Sequence, residues 1–150
     1  ISMATHIPLI VESLPGQAKS TFINCFACAI DKKGQSCNMS FSRSTEEFIG
    51  QITPKEDGFT YEKGILYKNL DEDKTFLIDE FNLASPSLLS LFLNVFKAPY
   101  NSNVVHPHEE GPFKKKFHLF ATMNPANSTA RRCDIPPGFY SCSIIYKMED

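Results

Sequence analysis

Five polar side chains with the chemistry of phosphate and metal binding stand just after three strand-like runs of the sequence. Lys19 and Ser20 follow the first run, Asp79 and Glu80 end the second, and Asn124 ends the third. A lysine and a hydroxyl at the start of a helix are typical of sites that bind outer phosphates and Mg²⁺. Paired carboxylates at the end of a strand can hold a metal ion and orient or deprotonate a water. The order of the three segments predicts a nucleoside-triphosphate site.

The first segment is a phosphate loop that has lost both of its fixed glycines. Residues 13–20 read S-L-P-G-Q-A-K-S, whereas the ordinary loop is G-x-x-x-x-G-K-[ST]. Ser13 and Ala18 stand at the two glycine positions, and Gly16 keeps one flexible point. If position 18 requires a positive φ, alanine there costs about 1–2 kcal/mol. On this segment alone, a strand–turn–helix with a lysine and no ligand remains an open alternative.

The retained loop residues predict the nucleotide contacts. Lys19 would reach the outer phosphates, and Ser20 Oγ would bind Mg²⁺. The residues predicted to contact the nucleotide are Pro15, Gly16, Gln17, Ala18, Lys19, Ser20 and Thr21.

The other two segments supply the candidates for metal binding and hydrolysis. Asp79, together with Ser20, is the predicted Mg²⁺ ligand, and Glu80 would orient or deprotonate the attacking water. Asn124 could hydrogen-bond the γ-phosphate or that water. Each feature also has a simpler interpretation, since two solvated acids often end a strand and Asn-Pro often forms a turn.

Strands that alternate with helices predict an α/β fold, with a parallel sheet covered by helices on both faces in three layers. Buried or alternating apolar runs predict strands at 8–12, 37–41, 75–79, 117–123 and 142–146. Helices are predicted at 19–30, at 44–49 with Ser44 as a cap, and from Pro86 onward behind Ser85. Pro54 and Gly58 are predicted to mark turns, and 64–70 could be helical or extended.

Helical spacing predicts which faces of the two longer helices are buried. In the first helix the predicted buried face consists of Phe22, Ile23, Phe26, Ala27 and Ile30. In the helix after Pro86 it consists of Leu88, Leu91, Phe92, Val95 and Phe96. Cys25 and Cys28 form a lone C-x-x-C in the first helix, and without a second pair we expect them in the core rather than on zinc.

Composition bounds the remaining possibilities. The 150 residues suffice for one domain, and a net charge of −2 gives no electrostatic reason to expect direct nucleic-acid binding. Five cysteines without a disulfide spacing predict reduced thiols. No apolar stretch approaches the roughly 20 residues of a membrane helix, and no signal peptide is visible. Because the chain opens almost directly on a strand, we expect it to be a fragment of a larger multi-module protein.

Two motifs resemble the midasin-like, dynein-related AAA+ ATPases. Residues 79–84 read D-E-F-N-L-A and residues 120–125 read F-A-T-M-N-P, close to the D-E-x-N-L-A and F-A-T-x-N-P of that family. Gly64 begins a similar G-x-L stretch. The resemblance implies that residues 1–150 are the large, nucleotide-binding subdomain of a P-loop NTPase, without its helical lid. It also implies ATP and Mg²⁺ as cofactors, and the matching residues Lys19, Ser20, Asp79, Glu80 and Asn124 as the site.

The same resemblance implies a biological setting. Such modules act beside neighbouring AAA+ modules in one chain or ring and remodel a macromolecular assembly, here in ribosome biogenesis in the nucleus, or otherwise in the cytoplasm. The family pattern also has an R-N-R-F-like segment where this chain reads P-P-G-F-Y at 136–140, and Arg131 and Arg132 lie earlier. Two alternatives therefore stay open: a catalytically inactive structural module, and a module of the same clade that uses GTP.

Overall fold

A five-stranded parallel sheet organises the computed structural model, which describes residues 6–29, 34–39, 44–71, 75–97, 118–125 and 134–148. The strands are β1 (Leu9–Glu12), β2 (Ser36–Asn38), β3 (Gly50–Lys55), β4 (Gly58–Lys63), β5 (Thr75–Asp79), β6 (His118–Met123) and β7 (Ile144–Lys147). The helices are α1 (Lys19–Ala29), α2 (Thr45–Ile49), α3 (Ile65–Asp71) and α4 (Pro86–Lys97), with short 3-10 turns at Phe81–Leu83 and Pro137–Phe139. The predicted α/β class is confirmed.

The strand order brings the predicted site segments together. The sheet runs β2-β5-β6-β1-β7, with every neighbouring pair parallel. Phe120 of β6 pairs with Leu9 of β1 on one side and with Leu77 of β5 on the other. Parallel neighbours end at the same edge, so the loop after β1 and the ends of β5 and β6 are adjacent there.

Helices cover both faces of the sheet. Alternate residues of each strand point to opposite sides, so each face has its own set of apolar side chains to bury. Val11, Leu77 and Phe120 pack against Ile23 of α1 on one face. The opposite face carries the larger core, to which α2, α3 and α4 contribute. Its members from the central strands are Ile10, Phe76, Ile78, Leu119 and Ala121, and its helical members include Phe48, Leu66, Phe92 and Phe96. The three-layer prediction is therefore confirmed.

The helix starts read from the sequence are also confirmed. The Ser44 hydroxyl accepts a hydrogen bond from the Glu47 N–H at 3.3 Å, and the Ser85 hydroxyl accepts from the Leu88 N–H at 3.4 Å. Four of the five predicted core residues of α4 are buried, Leu91 is half-buried, and Leu89 joins the core. The undecided segment 64–70 is helical from Ile65.

The predicted buried face of α1 is wrong. Only Ile23 and Ala27 of that set are buried among the described residues, whereas Phe22 is 68% and Phe26 39% exposed. The cysteines predicted for the core, Cys25 and Cys28, are exposed as well. Ile30 lies outside the described residues. The buried stripe of α1 consists of Lys19, Ile23 and Ala27, four residues apart, so α1 is turned to bring Lys19 to the strand ends.

The segment after α2 is an antiparallel hairpin that the sequence did not reveal. Pro54 was predicted to mark a turn, but it lies within β3 opposite Phe59, and the turn is at Glu56 and Asp57. Gly58, at φ +134°, begins β4. Two apolar side chains of the hairpin are left uncovered, since Ile52 is 62% and Phe59 81% exposed.

Other boundaries differ by one to three residues. β2 ends at Asn38, and the predicted end of that strand at Phe41 lies outside the described residues. β7 begins at Ile144, two residues later than predicted. Within the described ranges, no helix has the length and apolar character to cross a membrane.

Candidate functional site

The predicted site residues meet in a cleft of about 410 Å³ at the carboxyl edge of the sheet. Its lining consists of Pro15, Gly16, Ala18, Lys19, Ser20, Thr21, Asn38, Asp79, Glu80, Thr122 and Asn124. Of the residues predicted to contact nucleotide, Gln17 does not line the cleft.

The loop that follows β1 carries backbone strain at one of its two lost glycine positions. Gly16 has φ +86° and Ala18 has φ +52°, so the motif's second glycine position does require the left-handed region, at a cost of about 1–2 kcal/mol for alanine. Ser13, at the first glycine position, has no positive φ. It is buried, and its N–H donates to the Met123 carbonyl at 3.2 Å. The two substitutions are thus not equivalent.

Lys19 joins the loop to the end of β6. Its ammonium donates to the carbonyl oxygens of Ser13 at 2.9 Å and Leu14 at 3.0 Å, and to Asn124 Oδ1 at 2.7 Å. The side chain is 9% exposed. A buried ammonium is costly unless it is hydrogen-bonded, so these acceptors stabilise the positive charge of Lys19 at the wall of the cleft.

The two predicted metal ligands are in direct contact. Ser20 Oγ donates to Asp79 Oδ1 at 2.7 Å. The Thr122 hydroxyl donates to the same carboxylate oxygen, and Asn38 Nδ2 approaches Asp79 Oδ2 at 3.4 Å. Asp79 is therefore oriented toward the start of α1.

Glu80 and Asn124 lie side by side, as expected for the ends of neighbouring parallel strands. Asn124 Nδ2 donates to Glu80 Oε1 at 3.4 Å. Glu80 has φ +54°, a conformation that non-glycine residues adopt when the surrounding structure holds them there. Its N–H donates to Thr122 Oγ1 at 3.2 Å.

Three polar residues of this network were not predicted from the sequence: Asn38, Asn82 and Thr122. Asn82 is 2% exposed, and its Nδ2 donates to the Asn124 carbonyl at 2.8 Å, which fixes the end of β6. Asn82 and Thr122 belong to the two motifs that carry the family resemblance, so a signal was present. Asn38 carried no such signal, because in the sequence it is only one polar residue within a predicted strand.

The residues present fit a magnesium–nucleotide complex. A hydroxyl and a carboxylate in contact are hard oxygen donors of the kind Mg²⁺ prefers. The first turn of α1 has no acidic residue to repel a phosphate, and Lys19 supplies a positive charge at the same place. A side-chain carbon built on Gly16 would meet no atom within 4 Å, so the loop is open at that point.

Comparison with known proteins identifies relatives that match most of this chain. Midasin from Giardia intestinalis is 24% identical over 132 residues, covering 88% of this chain and 3% of that protein. Midasin from Dictyostelium discoideum is 27% identical over 137 residues, covering 87% of this chain and 2% of that protein. The chain thus spans a few per cent of the length of these curated relatives.

A solved structure shares the fold. It is a Cytophaga hutchinsonii protein provisionally identified as an ATPase, with a TM-score of 0.67 and 17% identity over 99% of this chain and 43% of its own. The sequence profile of the AAA domain (dynein-related subfamily) matches residues 8–141. Since that match covers most of the sequence, the chain belongs to the dynein-related subfamily of AAA domains.

Proposed function

We propose that this chain is an AAA+ module that binds Mg²⁺–ATP in the cleft at the carboxyl edge of its sheet and hydrolyses it. The observation that carries the proposal is that residues from three distant segments form one hydrogen-bonded network. Lys19 contacts Asn124, Asn124 contacts Glu80, and Ser20 contacts Asp79. Parallel pairing alone brings the strand ends to one edge, so the support comes from the residue types that are joined there: an ammonium, an amide, a hydroxyl and two carboxylates.

Each residue has a role that follows from its present contacts. Lys19 would exchange its carbonyl acceptors for phosphate oxygens, a charge-assisted bond that is stronger than a neutral one. Ser20 and Asp79 would hold Mg²⁺. The loop residues that line the cleft would contact the nucleotide: Pro15, Gly16, Ala18, Lys19, Ser20 and Thr21. When bound, Mg²⁺ neutralises charge on the phosphate oxygens.

The hydrolytic half of the site consists of Glu80 and Asn124. Glu80 would accept the proton of the attacking water, because its carboxylate lines the cleft beside Asp79. Asn124 donates to Glu80 and accepts from Lys19 at the same time. Its amide would therefore keep the Glu80 carboxylate and the Lys19 ammonium in a fixed relation during the reaction.

The relatives suggest the larger setting of this reaction. By resemblance to the midasin-like family, the module works beside other AAA+ modules in one chain or ring, and ATP turnover remodels a macromolecular assembly during ribosome biogenesis in the nucleus. A neighbouring module would supply the positive group that completes catalysis, since such a group contributes about 10³–10⁵ in rate.

A structural module without turnover is the second candidate, and two observations favour it. Ala18 is strained at φ +52°, and Lys19 is already hydrogen-bonded to three oxygens of the protein. A loop of this kind could remain closed on its own lysine and only pack within a ring.

Site-resolved nucleotide labelling distinguishes a module that binds ATP from a module that only packs within a ring. In the full-length protein that carries this sequence, a photoreactive azido-ATP is crosslinked with and without Mg²⁺, and labelled peptides of this module are identified by mass spectrometry. Lys19→Ala should weaken labelling by about 10- to 150-fold, since a charge-assisted bond contributes about 1.5–3 kcal/mol. Lys55→Ala, an exposed lysine outside the cleft, is the matched control. Equal labelling of wild type and Lys19→Ala would exclude this loop as a nucleotide site.

A further inference from the structure

We infer that Thr122 is a positioning residue that sets the orientation of both Asp79 and Glu80 through its single hydroxyl group. This inference rests on the proposed function, because it assigns the two carboxylates to metal binding and proton transfer. It concerns a residue that contacts neither nucleotide nor water in that proposal.

The surroundings of Thr122 make its hydroxyl unusual. All six residues of β6 are buried, and Thr122 is 0% exposed. Its neighbours along the strand, Ala121 and Met123, are apolar. A hydroxyl in such a place is costly unless it is hydrogen-bonded, so a strand that only packed would favour valine, which has the same shape.

The hydroxyl makes two hydrogen bonds, one to each of two consecutive residues. It donates to Asp79 Oδ1 and accepts from the Glu80 N–H at 3.2 Å. The paired register of β5 and β6 runs from Thr75 with His118 to Ile78 with Ala121. Beyond that pair, the two hydrogen bonds of the Thr122 side chain connect β6 to the end of β5.

This connection defines the directions of the two carboxylates. Asp79 Oδ1 accepts from Ser20 Oγ as well as from Thr122 Oγ1, so the aspartate is held from two sides and faces the start of α1. Glu80 has a left-handed backbone at φ +54°. Its N–H bond to Thr122 holds that conformation, which turns the glutamate away from the strand direction and into the cleft.

Thr75 provides a matched control in the adjacent strand. It is also a buried threonine, at 3% exposure, but its hydroxyl has no hydrogen-bond partner among the described residues. Thr75→Val and Thr122→Val therefore make the same chemical change, and only the second removes hydrogen bonds seen in this structure.

The first readout needs no nucleotide. Hydrogen exchange of the Glu80 amide is measured by mass spectrometry in the full-length protein. We expect faster exchange in Thr122→Val and wild-type exchange in both Thr122→Ser and Thr75→Val. Unchanged protection in Thr122→Val, or equal loss in Thr75→Val, would overturn the inference.

The second readout is the Mg²⁺ concentration that gives half-maximal azido-ATP labelling of this module. Loss of a group that orients a metal ligand typically costs about 10- to 100-fold in metal affinity, so Thr122→Val should raise that concentration by about tenfold or more, with rescue by serine. An unchanged Mg²⁺ requirement would refute the role toward Asp79.

Two further comparisons keep the test decisive. If Thr122→Val does not fold, Thr122→Ala and Thr122→Ser replace it, because these two variants differ only in the hydroxyl. If the wild-type module takes no label at all, the proposed function fails, and the exchange of the Glu80 amide still decides whether the Thr122 hydroxyl holds that residue.

Discussion

The two halves of the candidate site are held in place by different means. The strand ends, with Asp79, Glu80 and Asn124, extend from central strands whose neighbours are buried and whose register is fixed by parallel pairing. The phosphate loop is connected to the end of β6 through hydrogen bonds of Ser13 and Lys19, and between these two residues it has a left-handed backbone at Gly16 and Ala18. The difference teaches that the strand ends can keep their geometry when the loop lacks the glycines of its motif, because parallel pairing in the core, and not the loop backbone, positions them.

The largest expected effect lies on the side of the strand ends. Glu80→Gln should leave azido-ATP labelling nearly unchanged and slow turnover by about 10²–10⁴, because the amide keeps the shape of the carboxylate but cannot accept a proton. The measurement is a single-turnover reaction in the full-length protein. The mass of the crosslinked nucleotide shows whether this module holds a triphosphate or a diphosphate.

Glu56→Gln is the control for that experiment, since Glu56 is an exposed acid in the β3–β4 turn, away from the cleft. If wild type and Glu80→Gln convert the nucleotide at the same rate, the strand ends are intact in geometry but not used for hydrolysis. The structural alternative would then hold.

A smaller effect, on the free energy of unfolding, should distinguish the two loop positions at which the motif has glycine and this chain does not. Ala18→Gly should raise the free energy of unfolding by about 1 kcal/mol, because it relieves a left-handed alanine at a modest entropic cost. Ser13→Gly should lower it by about 0.5–1 kcal/mol, since position 13 has no positive φ and glycine adds freedom to the unfolded chain. Urea unfolding of the two variants measures both values. Changes of the same sign would mean that strain at Ala18 does not distinguish this loop.

The smallest effect is expected on the exposed face of α1, the helix that follows the loop. Phe22→Ser should change the free energy of unfolding by no more than about 0.5 kcal/mol, because that side chain is 68% exposed. Ile23→Ala, one residue further, should cost about 2–5 kcal/mol, since Ile23 is 2% exposed against the sheet. Similar losses in the same urea experiment would show that the outer face of α1 is packed after all, as the sequence first suggested.

The α/β fold could be predicted from the sequence, and candidate site residues could be named, because both depend on local patterns. The apolar run before Asp79 predicted a buried central strand, and Ser85 before Pro86 predicted a helix start. The candidate site residues Lys19, Ser20, Asp79, Glu80 and Asn124 were predicted because their residue types follow such elements, and the structure places them along one cleft. The hairpin from Gly50 to Lys63 was missed, because a proline within β3 and an exposed phenylalanine in β4 do not have the periodicity of a packed strand.

Tertiary structure alone decided which side of α1 is buried and how the strand ends are connected. Apolar spacing placed Phe22 and Phe26 in the core, but the sheet turns α1 so that Lys19, Ile23 and Ala27 face inward. The sequence likewise specified a threonine at position 122, whereas only parallel pairing of β5 with β6 places its hydroxyl between Asp79 and Glu80. Local patterns determine which elements form and which residues end them. Contacts between residues tens of positions apart depend on strand order and helix rotation, which no short stretch of sequence encodes.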